Sequence, residues 1–322
     1  MALSRDSAAP SVLVLRALGL GDLLTAVPAL RGIRRAFPGH HLQLATDPAL
    51  HELVDLAEVV DEVVPARGLE PLTYDGPPPD VAVNLHGRGP QSHRVLGALS
   101  PHRLVAFGCA DAGLGVGSGE APVWRRDEHE VARWCRLVNE TLEPVADPTD
   151  LRLAAPRSPA PRAPGVVVHP GAAQAARRWP AERFAAVAGR LADQGHRVWL
   201  TGSAGERDLA GKVAVEAGLD EGCVLAGTTS LAQLAALVAG SPLVVCGDTG
   251  TSHLATAFGT PSVVLFGPTP PAWWGPPETG PHAALWHGSE PGDPWADTPD
   301  PALLEITVDE VLGAAERMLP RT

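Results

Sequence analysis

Short, nearly unbroken apolar runs recur along the chain, separated by segments of helical length. In the first half they are SVLVLR (11–16), HLQLAT (41–46), EVVDEVVP (58–65), DVAVNLHG (80–87) and HRLVAFG (102–108). Continuous apolar runs of this kind predict strands buried on both faces of a parallel sheet, with crossover helices between them. A proline- and alanine-rich stretch without periodicity, AAPRSPAPRAPG (154–165), reads as a stiff hinge. The pattern then restarts with VVVHP (166–170), HRVWLTG (196–202), CVLAG (223–227), LVVCGD (243–248) and SVVLFG (262–267). Helices are predicted over 180–193, 206–217, 230–239 and 251–258, with Pro180 at the first helical position, where a missing N–H costs nothing. Two successive βαβ halves imply an α/β protein of two Rossmann-like domains, 1–155 and 156–322, facing each other across a cleft. Segment 268–301, dense in proline and tryptophan, is expected to wrap as loops. The closing amphipathic stretch VDEVLGAAERML is expected to pack back across either domain, the N-terminal one included.

Composition narrows the function more than the fold. A chain of 322 residues, 45% hydrophobic and 19% charged, suits two domains of ordinary size. A formal net charge of −12 argues against the nucleic-acid backbone or an anionic membrane face as principal partner, so any bound anion must be held locally. Lys212 is the only lysine, and alanine, proline and glycine are abundant, which reads as the coding bias of a GC-rich genome. Cys109, Cys135, Cys223 and Cys246 lie far apart, without a C-x-x-C pair or clustered histidines. They read as reduced cytosolic thiols and not as a metal site. The N-terminus lacks a sustained apolar core with a cleavage site, and no segment reaches the ~20 apolar residues of a bilayer span. A cytoplasmic, monomeric protein is expected, with a peripheral contact at the membrane left open.

The segment LRALGLGDLLTAVPALRGIRRAF (15–37) opens with a glycine-rich turn. Gly19 and Gly21 match the first two glycines of a dinucleotide fingerprint, but Leu24 stands at the third position and the Asp22 carboxylate would repel a pyrophosphate. A nicotinamide cofactor is therefore disfavoured. Two readings of Asp22 remain: a helix cap worth about 1 kcal/mol, or a general base on a first turn kinked by Pro28.

The second half supplies an anion site. In VVCGDTGTSHLATAFGTPSVVLFGPT (244–269), the backbone N–H groups of Thr249, Gly250, Thr251 and Ser252, with their hydroxyls, form a donor array at a helix start. Upstream, HPGAAQAARRWP (169–180) brings Arg177 and Arg178 just before a helix start, where a guanidinium is expected to fork onto phosphate oxygens; the alternative for Arg178 is a merely solvated side chain. Asp248 reads as a turn residue or a partner for donor hydroxyls, His253 as an ordinary helix histidine or a donor contact, and Trp273 and Trp274 as packing. His86, Arg88, His93 and Arg94 are the candidates for anionic groups of a second substrate.

Three blocks in order, LVLRALGLGDLLTAVPALRGIRRAFPG, HPGA…RRWPAERFAAVAGRLADQGHRVWLTGSAGE and DTGTSHLATAFGTPSVVLFGPTPP, resemble the family 9 glycosyltransferases, the bacterial heptosyltransferases, over almost the full chain. The resemblance implies a GT-B fold with an N-terminal acceptor domain and a C-terminal donor domain. It implies inverting, metal-independent transfer from a nucleotide-activated sugar, ADP-heptose in the family, to a glycan, glycolipid or small-molecule acceptor such as the lipopolysaccharide inner core. By motif position Asp22 matches the catalytic base and Arg177 a donor-phosphate residue that is commonly lysine. Asp248, Thr249, Gly250 and His253 match the donor signature, and Glu206 an acidic residue near the nucleotide ribose. A D-x-D motif, which anchors a divalent ion to a sugar diphosphate, is absent. A nucleotide-sugar epimerase or hydrolase of the same fold, and a non-catalytic nucleotide-sugar-binding protein, are the alternatives.

Overall fold

A computed structural model describes residues 9–115, 121–143 and 145–319. Residues 1–8, part of the stretch read above for targeting signals, lie outside them. The chain divides into two compact units, Met1–Asp150 and Leu151–Thr322. The division falls just before the proline-rich hinge, because Leu153 already donates its N–H to Ala257 of the second unit.

The first unit runs β1 (Ser11–Leu15), α1 (Leu20–Ala36), β2 (His41–Thr46), α2 (His51–Ala57), β3 (Glu62–Pro65), β4 (Val81–Asn84), α3 (Gln91–Gly97), β5 (Arg103–Val105) and α4 (Glu130–Thr141). Its five parallel strands lie in the order β3-β2-β1-β4-β5, with Leu15 level with Ala45 on one side and Asn84 on the other. Val12, Leu13, Val14 and Leu15 are fully buried, as a strand covered on both faces must be. Helix α1 runs as one helix with Pro28 inside it. Its other marked feature is Gly32: a Cβ there would stand 2.6 Å from Ala146 Cβ, so glycine alone admits this approach.

The second unit runs β6 (Val166–His169), α5 (Ala181–Asp193), β7 (Val198–Leu200), α6 (Arg207–Glu216), α7 (Leu231–Ala239), β8 (Val244–Gly247), α8 (Gly250–Phe258), β9 (Ser262–Leu265), α9 (Pro271–Trp274), β10 (His282–Leu285), α10 (Pro301–Glu305) and α11 (Val308–Met318). Its parallel sheet has the order β10-β9-β8-β6-β7. Three expectations are corrected here. The run 223–227 is not a strand: a tight turn over Glu221–Cys223 and Gly227 at φ +73° leave room only for a single parallel bridge between Val224 and Leu200. Segment 268–301 is not all loop, because β10 extends the sheet beside β9 and two short helices flank it. Pro180 caps α5 from outside, with extended backbone (ψ 135°), instead of occupying its first turn. Helix α11 packs on α5, β9 and β10, within the second unit.

Both sheets reverse their strand order once, between β1 and β4 in the first unit and between β6 and β8 in the second. Adjacent crossovers there leave for opposite faces, and the crevice beyond the strand ends is where doubly wound sheets bind ligands. The loops at those two points carry Asp22 with His86, and Arg177 with Asp248.

Candidate functional site

In the first unit, α1 begins at Leu20 with Gly19 as its cap, so Gly21 stands inside the first helical turn and not in the loop. Asp22, third in the helix, turns its carboxylate back: Oδ2 accepts the Gly19 N–H at 3.2 Å. Glycine has no side chain with which to complete the reciprocal cap. The capping interaction is thus real, yet it engages one oxygen of a side chain that stays 29% exposed.

Beneath it lies a residue that the apolar pattern conceals. Arg16, at the end of the first strand run, is 1% exposed. Its Nε donates to the Asp22 carbonyl at 2.9 Å, and Nη1 donates to the Leu85 carbonyl. Nη2 reaches Glu130 Oε1 at 3.0 Å, Thr25 Oγ1 at 3.3 Å and Asp22 Oδ1 at 3.3 Å. Glu130, buried in the first turn of α4, also accepts from Trp134 Nε1 at 2.7 Å and pairs with Arg133. Burial would raise the Glu130 carboxyl, but the Arg16 and Arg133 charges and the Trp134 and Arg16 hydrogen bonds outweigh it and hold it below the ordinary range. The Arg16 guanidinium lies 4.9 Å from the Trp134 ring centroid. Sequence reading missed Arg16, Glu130 and Trp134; the available signal was a charge closing an otherwise apolar strand.

The neighbouring loop after β4 sorts the four acceptor candidates. His86 is half-buried, its Nδ1 is enclosed without a hydrogen-bond partner among the described residues, and burial followed by the Arg16 charge pushes its pKa down to about 4. His93 is core: Nε2 meets the Phe107 carbonyl at 2.8 Å and therefore donates, so Nδ1 accepts from Asn84 Nδ2 at 3.0 Å. Arg94 donates to the Asp111 carbonyl, and Arg88 is exposed. Only His86 is brought against Arg16 and the Asp22 loop.

In the second unit, Asp248 follows β8 and Thr249 caps α8, whose first turn has no side-chain cap. Ser252 is spent locally: its N–H and hydroxyl both donate to the Thr249 carbonyl, at 3.1 and 2.7 Å. The expected four-donor array therefore loses that member, leaving the N–H groups of Thr249, Gly250 and Thr251 as candidates. Arg177 Nη1 sits 3.4 Å from the Asp248 carbonyl and 4.0 Å from its carboxylate. Arg177 Nε and Thr249 Oγ1 are both enclosed without a hydrogen-bonded N or O partner among the described residues, although the Thr249 hydroxyl does interact with the Cys246 thiol. Two enclosed polar groups beside a helix start without a side-chain cap have the donor chemistry that an anion would satisfy.

Beside it, Glu206 Oε2 accepts the Ser203 N–H at 2.7 Å and hydroxyl at 2.8 Å. The Glu206 carboxylate presses on Gly171, where a Cβ would come within 2.1 Å of Oε1. Arg178 is exposed, and its Nε binds the Ala172 carbonyl at 2.7 Å. His169, buried at the end of β6, contacts Thr201 Oγ1 at 3.0 Å, and burial holds it below its ordinary pKa against the attraction of Glu206. His253 packs edge-on to Trp274 at 5.9 Å. Among the described residues no group of three His, Cys, Asp or Glu is placed to hold a metal ion, and no helix is long and apolar enough to cross a membrane.

The comparisons with known proteins agree. The model of glycosyltransferase family 9 (heptosyltransferase) matches residues 121–288, more than half of the chain. Lipopolysaccharide heptosyltransferase 1 of Pseudomonas aeruginosa is 29% identical over 303 residues, covering 82% of this chain and 80% of the relative. Among solved structures, the E. coli ADP-heptose lps heptosyltransferase II aligns with a TM-score of 0.76 at 19% identity, over 96% of this chain and 98% of that one. The E. coli heptosyltransferase WaaC with ADP aligns at 0.71 and 21% identity, over 96% and 99%. These likenesses show the fold: two Rossmann-like domains of the GT-B type.

Proposed function

The chain belongs to glycosyltransferase family 9, and from that premise we propose that it moves a heptose-type sugar from an ADP-linked donor to a hydroxyl of a lipopolysaccharide-type glycan or glycolipid. Transfer proceeds with inversion and without a metal ion. Acceptor binding falls to the first domain and donor binding to the second. Asp22 takes the acceptor proton as the hydroxyl oxygen attacks the anomeric carbon. The bond from that carbon to the phosphate oxygen breaks, and its electron pair leaves with the nucleoside diphosphate. Arg177 and the start of α8 meet that leaving charge, the task a divalent ion performs elsewhere. His86 and Arg88 flank the acceptor side; Glu206, Asp248 and His253 flank the donor.

The observation that carries this reading is the pair of enclosed polar atoms, Arg177 Nε and Thr249 Oγ1, neither with a hydrogen-bonded N or O partner among the described residues, at a helix start without a side-chain cap, with the partly exposed Asp22 carboxylate at the corresponding turn of the other domain. Asp22→Asn is expected to leave ADP binding intact by calorimetry and to cut transfer at least 10²–10⁴-fold, the usual contribution of a general base. Near-normal turnover by that variant removes the base assignment. A thermal-shift screen of ADP-, UDP- and GDP-sugars tests the donor, with stabilisation following RT ln(1 + [L]/Kd). Undiminished turnover in a chelator tests metal independence, and the anomeric configuration of the product tests inversion. Rapid release of free sugar from the donor alone would instead favour a hydrolase.

A further inference from the structure

The buried network under Asp22 goes beyond holding α1 and α4 together. Arg16 is shared between two carboxylates, and the sharing is unequal: its Nη2 lies 3.0 Å from Glu130 and 3.3 Å from Asp22. A carboxylate facing a guanidinium alone is held in its charged form and becomes a poor proton acceptor. Here Glu130 meets the same guanidinium nitrogen, Nη2, and is itself balanced by Arg133 and by the Trp134 N–H. Two cations and two carboxylates therefore share one cluster, in which Glu130 is buried and Asp22 alone is substantially exposed. The Arg16 Nε bond to the Asp22 carbonyl and its Nη1 bond to the Leu85 carbonyl meanwhile tie the base-bearing turn to the His86 loop.

We propose that Arg16 and Glu130 are positioning residues for Asp22: Arg16 fixes the turn that aims the carboxylate, and Glu130, by taking the larger share of the Arg16 charge, keeps that carboxylate able to accept a proton. The inference rests on the reading of Asp22 as the base. Of the charged groups around Asp22, Arg16 touches it directly from the residue after β1, Glu130 and Arg133 stand behind Arg16 on α4, and His86 from the loop after β4 lies close enough to Arg16 to feel its charge. Burial and the Arg16 charge hold the His86 pKa down to about 4, so Arg16, Glu130 and Arg133 carry the charge of this cluster near neutral pH.

The test follows the Asp22 carboxyl directly in the full-length protein, by ¹³C NMR titration of aspartate-labelled samples, its resonance identified by its absence in Asp22→Asn. In Glu130→Gln the undivided Arg16 charge is expected to lower the Asp22 midpoint by about one pH unit. Arg16→Met is expected to raise it by a similar amount. Arg16→Lys, which keeps the charge but not the fork, is expected to restore the midpoint while transfer falls about tenfold or more through lost aim. Should Glu130→Gln not fold, Glu130→Asp retains the buried charge but sets it back from Arg16 by one methylene, and should move the midpoint in the same direction by less. An Asp22 midpoint unmoved in both the Glu130 and the Arg16→Met variants, with ADP binding and far-ultraviolet circular dichroism intact, overturns the proposal. Transfer that survives Asp22→Asn overturns the base reading instead, whatever the titrations give.

Discussion

At Thr249 a hydroxyl is enclosed without a hydrogen-bonded oxygen or nitrogen partner among the described residues, and at Arg177 one guanidinium N–H is in the same position. Leaving a buried polar group unsatisfied costs about 1–3 kcal/mol, so these groups weaken the ligand-free protein unless binding recovers the loss. Thr249→Val, nearly isosteric, is therefore expected to leave the ligand-free melting temperature unchanged or slightly raised and to weaken ADP binding several-fold. Paired thermal melts with and without ADP read both effects. Arg177→Ala removes a charge-assisted partner and should weaken ADP binding by roughly 10–100-fold, with Arg177→Lys losing less because it keeps the charge without the fork. Residue chemistry of this kind was legible in the chain: Asp22, Arg177, Asp248 and Thr249 were picked out by residue type and position. Ser252 was picked out with them as a donor, yet nothing in the sequence says that its N–H and hydroxyl both turn back to the Thr249 carbonyl.

Among the elements, α1 illustrates how packing overrides local preference. Alanine is favoured over glycine in a helix interior by roughly 1 kcal/mol, yet a Cβ at Gly32 would lie 2.6 Å from Ala146 Cβ and 2.9 Å from its Cα. Ala146 has no freedom to yield, since its N–H and carbonyl are both held by the Asn139 side chain at 2.8 and 2.9 Å. Gly32→Ala is therefore expected to destabilise the protein by about 1–3 kcal/mol, measured by urea unfolding. A stabilised variant would mean that the 145–146 segment is free to move. The strands from 11–16 to 262–267 were readable because burial on both faces leaves a continuous apolar run. The run at 223–227 has that composition too, but a tight turn before it and a left-handed glycine after it reduce it to one bridge beside β7. Conversely β10, within a proline- and tryptophan-rich segment, joins the sheet because β9 offers it a parallel edge, which no local pattern announces.

Over the whole molecule, histidines lowered by burial and carboxylates lowered by their partners set the same pH dependence. Burial holds His86, His93, His169 and His282 below the ordinary histidine value of 6.5, to about 4 for His86. The unfolded chain therefore takes up protons below pH 6.5 that the folded chain refuses, and stability falls with pH over the interval from 6.5 to about 4. His86 alone accounts for roughly 2–3 kcal/mol of this loss. Asp61 is lowered by the Leu42 N–H and by Arg34 against its own desolvation, Asp80 chiefly by the Ser11 N–H, and Glu130 by Arg16 and Arg133 against burial. Their contribution is full above the ordinary carboxylate value and is lost as pH drops through the lower folded one, so acid unfolding steepens there. The melting temperature should thus decline from pH 6.5 to pH 4, and His86→Gln should flatten the upper part of that decline. A flat profile would mean that these histidines accept protons in the folded state. The sequence by itself determined the α/β class, the two-part organisation and the family, because strand burial and glycine-rich turns leave local, periodic marks. Only the tertiary structure decided the strand orders and their reversal points, the single bridge at 223–227, and the Arg16–Glu130 pairing under Asp22. Those depend on contacts between residues far apart in the chain, and burial alone turns such pairs from solvated charges into a shared field.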